Sequence, residues 1–135
     1  MKKRPNVTVK IMLRYKDKVL MIKHKDGSFG FPGGHVERGE SLMSALKREL
    51  REELNYNLKK EPKLFDVWNY VSKTKKEHIV FLNYILKLGK KSILSSPEKL
   101  GIFWLTRKDI ILKGIIKDKQ FLDKIFKPLK IINLS

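Results

Sequence analysis

The sequence predicts an α/β fold in which a mixed β-sheet lies between helices. Segments that alternate apolar and polar residues, as strands do, occur before and after one central segment with helical periodicity. A second helical segment lies near the C-terminus. The chain has 135 residues, of which 41% are hydrophobic. That length suits one hydrophobic core, and no linker or repeat interrupts it, so we expect a single domain over residues 1–135.

Two strands are predicted before the central helix. Residues 7–14 alternate between apolar side chains and mostly polar ones, which predicts a strand with one buried face. The polar residues 15–18 predict a turn, and residues 19–23 predict a second strand. After another turn at residues 25–27, the chain reaches the turn-forming sequence Pro32-Gly33-Gly34.

The central helix is predicted to follow Ser41, whose hydroxyl suits an N-cap. Leucines then recur every four residues and define one apolar side of the helix: Leu42, Leu46, Leu50 and Leu54. At about 100° per residue, three glutamates fall along the margin of that apolar side: Glu49, Glu52 and Glu53. Carboxylates crowded at the edge of a core repel one another, and a hard divalent cation such as Mg²⁺ would relieve the repulsion.

A simpler interpretation of the same helix is a solvated charged face. Helices rich in Glu and Arg are common on protein surfaces, and Arg48 and Glu52 have the spacing of an ordinary i,i+4 ion pair. The spacing of the wider stretch, described below, favours the metal site over this alternative.

The second half of the chain predicts three more strands and two helices. Strands are expected at residues 64–71, 78–88 and 102–105, with a connector at 57–63 and a polar hairpin loop at 72–77. Thr106 and Asp109 have the spacing of a capping box for a short helix. Asp118 is expected to cap the last helix, and Pro128 to end it. The apolar face of that helix comprises Phe121, Leu122, Ile125 and Phe126.

Two sets of side chains are assigned ordinary structural roles. The histidines lack the paired spacing of zinc ligands, which argues against a zinc site; they are His24, His35 and His78. The aromatic residues on strands have the chemistry to stack on a base, but buried packing is the commoner role and is what we expect; they are Trp68, Tyr70 and Trp104.

Composition narrows the classes of function. The chain has no cysteine, which excludes disulfides, thiolate metal sites and cysteine nucleophiles. Its formal net charge is +17, carried by 25 lysines and 6 arginines scattered along the sequence. This pattern predicts a general basic surface that attracts polyanionic substrates and binds nucleic acid without sequence preference. No run of 18 apolar residues occurs, so we expect a cytoplasmic protein with no membrane partner. The oligomeric state is left open.

One stretch resembles the signature of a known family. Residues 34–56 read GHVERGESLMSALKRELREELNY, and the spacing of glycine, glutamate and arginine matches the Nudix box. With about 6% usage for each of the six fixed positions, a chance match anywhere in a chain of this length is on the order of 10⁻⁵. Asn55 replaces the closing glycine of the box, and Tyr56 replaces the aliphatic residue after it. Asn tolerates the left-handed conformation best among non-glycine residues, so a helix can still end there.

The resemblance to Nudix enzymes implies an α/β/α sandwich with a mixed β-sheet. It also implies hydrolysis of a nucleoside diphosphate linked to another group, with Mg²⁺, or Mn²⁺ as the alternative, as cofactor. Water attacks phosphorus, so the charge on the phosphates must be neutralised and the water must lose a proton.

By position in the box, the resemblance also assigns roles to residues. Glu52, Glu53 and the carbonyl of Gly34 would be metal ligands, and Glu49 would be either the general base or a third ligand. Arg48 would orient Glu49.

The resemblance also suggests roles for two further glutamates. Glu40 would support the loop and the metal site. Some Nudix enzymes supply another catalytic or metal-binding glutamate from a late loop, and Glu98 stands in such a position, although a solvated loop residue is the expected role.

The choice of substrate lies outside the box. The short chain and its PGGHVE entry resemble the MutT-like group, which favours a nucleoside triphosphate, including a damaged one. The alternatives are ADP-ribose, a dinucleoside polyphosphate or a 5′-triphosphorylated RNA. A non-catalytic, basic nucleic-acid-binding module with the same fold is a further alternative; the net charge favours it weakly, and the three clustered carboxylates argue against it.

Overall fold

The structure, a computed structural model, describes residues 4–90 and 94–127. Its strands are β1 (Asn6–Tyr15), β2 (Lys18–Lys23), β3 (Phe29–Gly30), β4 (Gly33–His35), β5 (Lys63–Val71), β6 (His78–Lys87) and β7 (Gly101–Thr106). Its helices are α1 (Leu42–Leu54), α2 (Arg107–Leu112) and α3 (Lys119–Phe126). The predicted helix end at Pro128 lies outside the described residues.

The described strands form one mixed sheet of seven, organised around β1. β1 runs parallel to β6 along nearly its whole length. The opposite edge of β1 is shared, because β2 pairs with its C-terminal end and β4 pairs with residues 8–10 near its N-terminal end. β5 forms a hairpin with β6 at one side of the sheet, and β7 pairs with β2 on the other. The short strands β3 and β4 were not predicted from the sequence.

Both faces of the sheet are covered, which confirms the predicted α/β/α sandwich. On one face, leucines of α1 pack against the odd-numbered residues of β1, including Ile11 and Leu13. On the other face, Ile110 of α2 and Leu122 and Ile125 of α3 form a second core with side chains of the central strands. Each fully buried aliphatic side chain of this kind contributes about 1.5–3 kcal/mol to folding.

The ends of the helices are set by local side chains, as predicted. The hydroxyl of Ser41 accepts a hydrogen bond from the backbone N–H of Ser44, and Asn55 ends α1 in the left-handed conformation with φ 52° and ψ 38°. Thr106 and Asp109 form a complete capping box at the start of α2. Asp118 accepts hydrogen bonds from two backbone N–H groups at the start of α3.

The prediction that β1 has only one buried face was wrong. Thr8, Met12 and Arg14, on the face expected to be solvated, are also buried. The reason is tertiary: β1 is the central strand, and α2 and α3 cover the face that α1 does not. An alternating sequence cannot reveal that a second layer of helices will lie over its polar side.

The predictions for β5 were wrong in two respects. Trp68 and Tyr70 are exposed rather than in the core, at 49% for Trp68, because β5 is an outer strand of the sheet. Trp104, on β7, does pack against the core beneath α1. A shift of register between Leu64 and Asp66 places Phe65 toward α3, where its ring stacks on Phe121. Strict alternation along a strand would instead place Phe65 on the opposite face from Asp66.

Among the described residues, no helix combines the length and apolar character needed to cross a membrane.

Candidate active site

The site is built where β4 passes between β1 and α1. Gly33 pairs with Lys10 and Gly34 with Val9. Gly33 has φ +136°, and a Cβ atom there would lie 2.0 Å from the carbonyl oxygen of Val9, so only glycine fits. A Cβ atom on Gly34 would lie 2.5 Å from the carboxyl group of Glu49. The two glycines therefore let the backbone approach β1 on one side and a carboxylate of α1 on the other.

Arg48 ties the loop before α1 to the helix. Its guanidinium donates two hydrogen bonds to the carboxylate of Glu40, at 2.8 and 3.0 Å, and one to the carbonyl of His35, at 3.0 Å. It also donates to Glu49 at 2.9 Å and, more weakly, to Glu52 at 3.5 Å. The hydrogen bonds from Arg48 lower the pKa of Glu40 to about 2. The pKa of Arg48 is itself raised, first by Glu40 and then by Glu49.

Glu53 lies inside the protein, with only 6% of its surface exposed. One oxygen of its carboxylate accepts a 2.8 Å hydrogen bond from the N–H of Gly33. Burial raises the pKa of Glu53 to about 7; the Gly33 hydrogen bond and the charge of Lys10 oppose this, whereas Glu49 and Glu98 add to it. A buried carboxylate of this kind is stabilised by a nearby cation.

Lys10 is a site residue that the sequence analysis missed. It is partly buried between Thr8 and Met12 on β1, and its ammonium group donates to the carbonyls of Phe31, at 3.2 Å, and Gly33, at 3.5 Å. Burial lowers its pKa, while the charges of Glu53 and Glu49 raise it. The signal in the sequence was a lysine in the middle of a strand that is otherwise largely apolar, but alternation assigned it to a solvated face.

The three glutamates of α1 are held apart. Glu49 is bound by Arg48, Glu53 turns toward Gly33, and the side chain of Glu52 is 51% exposed. Within residues 4–90 and 94–127, no group of three acidic or histidine side chains is close enough to hold a metal ion. Hydrogen bonds from Arg48 and from the N–H of Gly33 therefore offset part of the expected repulsion, while the charge of Glu49 still adds to the raised pKa of Glu53.

The donor set nevertheless fits a hard divalent cation. Glu49 and Glu53 flank Gly33 and Gly34 of β4 from the helix side. Within the described residues Glu52 has only a long contact to Arg48 and is exposed, so its carboxylate can rotate toward them. Oxygen ligands and a buried carboxylate with a raised pKa are what Mg²⁺ would stabilise. The roles assigned to these residues by the box remain predictions.

Glu98 and the three histidines are the remaining candidate residues from the sequence. Glu98 is exposed in the turn before β7, yet it is close enough to Glu53 to affect its pKa. The ring of His35 forms a 2.8 Å hydrogen bond with Thr8. His24 and His78 contribute to no group of three metal-binding side chains in the described part of the chain.

A cavity of about 580 Å³ opens on the sheet face opposite α1, within the range of small-molecule sites. Lys10 lines it, so the cavity and the carboxylate site share this residue. Trp68 and Phe81 lie on its wall with their rings stacked, centroids 4.8 Å apart. Phe121 of α3 lies on the wall as well. The exposure of Trp68 therefore places an aromatic surface beside the cavity, in contrast to the buried packing predicted for it.

Comparison with known proteins gives one family match. The model of the NUDIX domain matches residues 2–125. An ADP-ribose pyrophosphatase of Methanocaldococcus jannaschii is 33% identical over 86 residues, which cover 61% of this chain and 50% of that protein. A putative 8-oxo-dGTP diphosphatase of Bacillus subtilis is 29% identical over 97 residues, which cover 71% of this chain and 62% of that protein. The chain thus spans about half to three-fifths of the length of these relatives.

The fold is also shared with solved structures. A MutT protein from Methanosarcina mazei superposes with a TM-score of 0.68 at 18% identity, covering 100% of this chain and 99% of that one.

Proposed function

The chain belongs to the Nudix family, and from this premise we propose that it is a divalent-metal-dependent pyrophosphohydrolase acting on a nucleoside triphosphate, including a damaged one. One observation carries the proposal: Lys10 lines a nucleoside-sized cavity, donates to the carbonyl of Gly33 beside the carboxylates of α1, and interacts through its charge with Glu53 and Glu49. Such an arrangement suits a substrate with its base in the cavity and its phosphates at the carboxylates.

In the proposed reaction, water adds to a phosphorus atom and the bridging phosphoanhydride P–O bond breaks. The products are a nucleoside monophosphate and pyrophosphate when attack is at the phosphorus nearest the nucleoside. Glu52, Glu53 and the carbonyl of Gly34 would hold Mg²⁺ or Mn²⁺, which when bound supplies positive charge against the phosphates and lowers the pKa of water.

Glu49 would then accept the proton of the attacking water or act as a third ligand, and both roles remain open. Arg48 is a positioning residue for Glu49, because it holds one carboxylate oxygen at 2.9 Å. Glu40 anchors Arg48 through two hydrogen bonds, so the loop before α1 fixes the orientation of the helix carboxylates.

The names of the relatives support two substrate classes. The relative from Bacillus subtilis favours a purine nucleoside triphosphate, and the one from Methanocaldococcus jannaschii favours ADP-ribose as the second candidate. The net charge of +17 would draw in either polyanion.

The test is a screen with Mg²⁺ in which products are identified by chromatography. It includes the four nucleoside triphosphates, their oxidised forms, ADP-ribose, a dinucleoside tetraphosphate and a 5′-triphosphorylated RNA. We expect a monophosphate and pyrophosphate from at least one nucleoside triphosphate. Exclusive cleavage of ADP-ribose would establish the second candidate instead, and no cleavage of any of them would refute the proposal.

A further inference from the structure

We propose that Lys10, Asn83 and Asp66 form a row across the sheet that reads the edge of the substrate base and selects guanine. This inference rests on the proposed function, since it assigns the base within the same site.

The row follows from strand register. Lys10 on β1 lies opposite Asn83 on β6, and Asn83 lies opposite Asp66 on β5. All three line the cavity on the face opposite α1. Adjacent strands are about 4.8 Å apart, so the three backbones span about 10 Å, and their side chains can converge on one planar edge.

The hydrogen-bonding character changes along the row. Lys10 has three ammonium hydrogens, and two carbonyls, of Phe31 and Gly33, accept from it, which leaves one donor for a ligand. The amide nitrogen of Asn83 donates to Asp66 at 3.1 Å. Because an ionised carboxylate only accepts, this contact fixes the amide orientation and makes the Asn83 oxygen its acceptor for a ligand.

Asp66 completes the row as an acceptor. Its side chain is 13% exposed, and its other oxygen accepts from Lys124 of α3 at 3.0 Å. Asn83 is 2% exposed, and its hydrogen bond to Asp66 restrains both side chains. From β1 to β5 the row therefore presents a donor, an acceptor and an acceptor.

The complementary ligand edge presents an acceptor, a donor and a donor. Guanine has this order in its carbonyl oxygen, its ring N–H and its amino group. Adenine offers one acceptor and one donor and leaves the third position unpaired. Uracil and thymine place a carbonyl oxygen against Asp66, and cytosine places an acceptor against Asn83. A buried polar group without its partner discriminates strongly between ligands.

Aromatic side chains border the row on the same face. Thr8, Phe81 and Trp68 form the next row, two residues away along each strand. Rows on one face are about 7 Å apart, so the stacked rings of Phe81 and Trp68 lie within reach of a base held by the polar row.

Binding of monophosphates tests the inference without turnover, since they contain no phosphoanhydride bond. Isothermal titration of the full chain with Mg²⁺ would compare GMP, AMP, CMP, UMP and inosine monophosphate, which lacks the amino group of guanine. We expect GMP to bind at least about tenfold more tightly than each of the others. Equal affinity for the monophosphates would overturn the inference.

A variant assigns the preference to Asp66. Asp66→Asn keeps the shape and replaces an acceptor by a group that can donate, so the ratio of inosine monophosphate to GMP dissociation constants should fall from about tenfold to near one. Asp123→Asn, which removes a carboxylate from the exposed face of α3, is the matched control and should keep the wild-type ratio. The same ratio in Asp66→Asn and wild type would refute the role of Asp66.

The two proposals fail in different ways. Hydrolysis of all triphosphates at similar rates, with no preference in monophosphate binding, would leave the proposed function intact and refute the selection of guanine by this row of residues. Selective binding of GMP without hydrolysis of any triphosphate would support guanine selection by this row of residues and refute the proposed pyrophosphohydrolase activity.

Discussion

Replacing Glu53 by Gln should stabilise the metal-free protein at alkaline pH. The side chain is buried, and its ionised form lacks water that it would have in the unfolded chain. Gln has nearly the same shape and keeps an oxygen that can accept the hydrogen bond from Gly33. The substitution therefore removes a buried charge with little change in packing.

The size of the effect follows from the pKa of Glu53, which rises from an ordinary 4.5 to about 7. At about 1.4 kcal/mol per pKa unit, ionising this group in the folded state costs about 3 kcal/mol. Because the folded pKa is the higher one, stability is unaffected below pH 4.5, falls as pH rises from 4.5 to about 7, and is level above that. The figure is an upper limit, since the neutral side chain of the Glu53→Gln variant would no longer offset the charge of Lys10.

The assay is urea denaturation in EDTA between about pH 5 and pH 8.5. Wild type should lose stability relative to Glu53→Gln up to about pH 7 and then stay level, with the variant more stable by up to about 3 kcal/mol at the alkaline end. Glu52→Gln is the matched control, because Glu52 is exposed and should not change the pH dependence. If wild type and Glu53→Gln lose stability in parallel, Glu53 is not held as a costly buried carboxylate.

Five other substitutions, at four positions, test separate parts of the site. Asn55→Gly should leave the free energy of unfolding nearly unchanged, whereas a β-branched Asn55→Val should cost about 1 kcal/mol or more, as measured by urea denaturation. Gly33→Ala should lower the free energy of unfolding by at least about 2 kcal/mol, because its Cβ atom would overlap backbone atoms. Gly34→Ala should keep the stability of wild type but reduce turnover, because its Cβ atom displaces only the flexible end of Glu49. Arg48→Gln should slow turnover with little change in Mg²⁺ affinity measured by titration, since Arg48 orients Glu49 rather than contacting the metal; an equal loss of both would show that Arg48 builds the metal site itself.

The features that the sequence predicted are those encoded by neighbouring residues. Ser41, Asn55 and the capping box of Thr106 and Asp109 each act within a few residues, so their spacing was sufficient to place the helix ends. The β5–β6 hairpin was likewise marked by its polar loop. The carboxylates of α1 were identified because a helix fixes their relative positions at known angles.

The features that the sequence missed depend on which strands meet. Lys10, Asn83 and Asp66 are far apart in the chain, and only the pairing of β1, β6 and β5 brings them into one row. The shift of register before Asp66 places Phe65 on the face opposite to the one that strict alternation would give it, and nothing in the local sequence marks this shift. The exposure of Trp68 follows from the outer position of β5, which is a property of the whole sheet.

The central claim is that the carboxylates of α1 bind a metal ion that permits phosphoanhydride hydrolysis. The direct measurement is the rate of pyrophosphate or phosphate release from an active nucleotide with Mg²⁺, for wild type, Glu52→Gln and Glu53→Gln. The exposed hairpin substitution Glu77→Gln serves as the matched control. We predict that Glu52→Gln and Glu53→Gln remain folded, bind Mg²⁺ less well and lose at least about a hundredfold in turnover, while Glu77→Gln retains it. Wild-type turnover and Mg²⁺ response in both Glu52→Gln and Glu53→Gln would contradict the account and leave α1 as a solvated charged face.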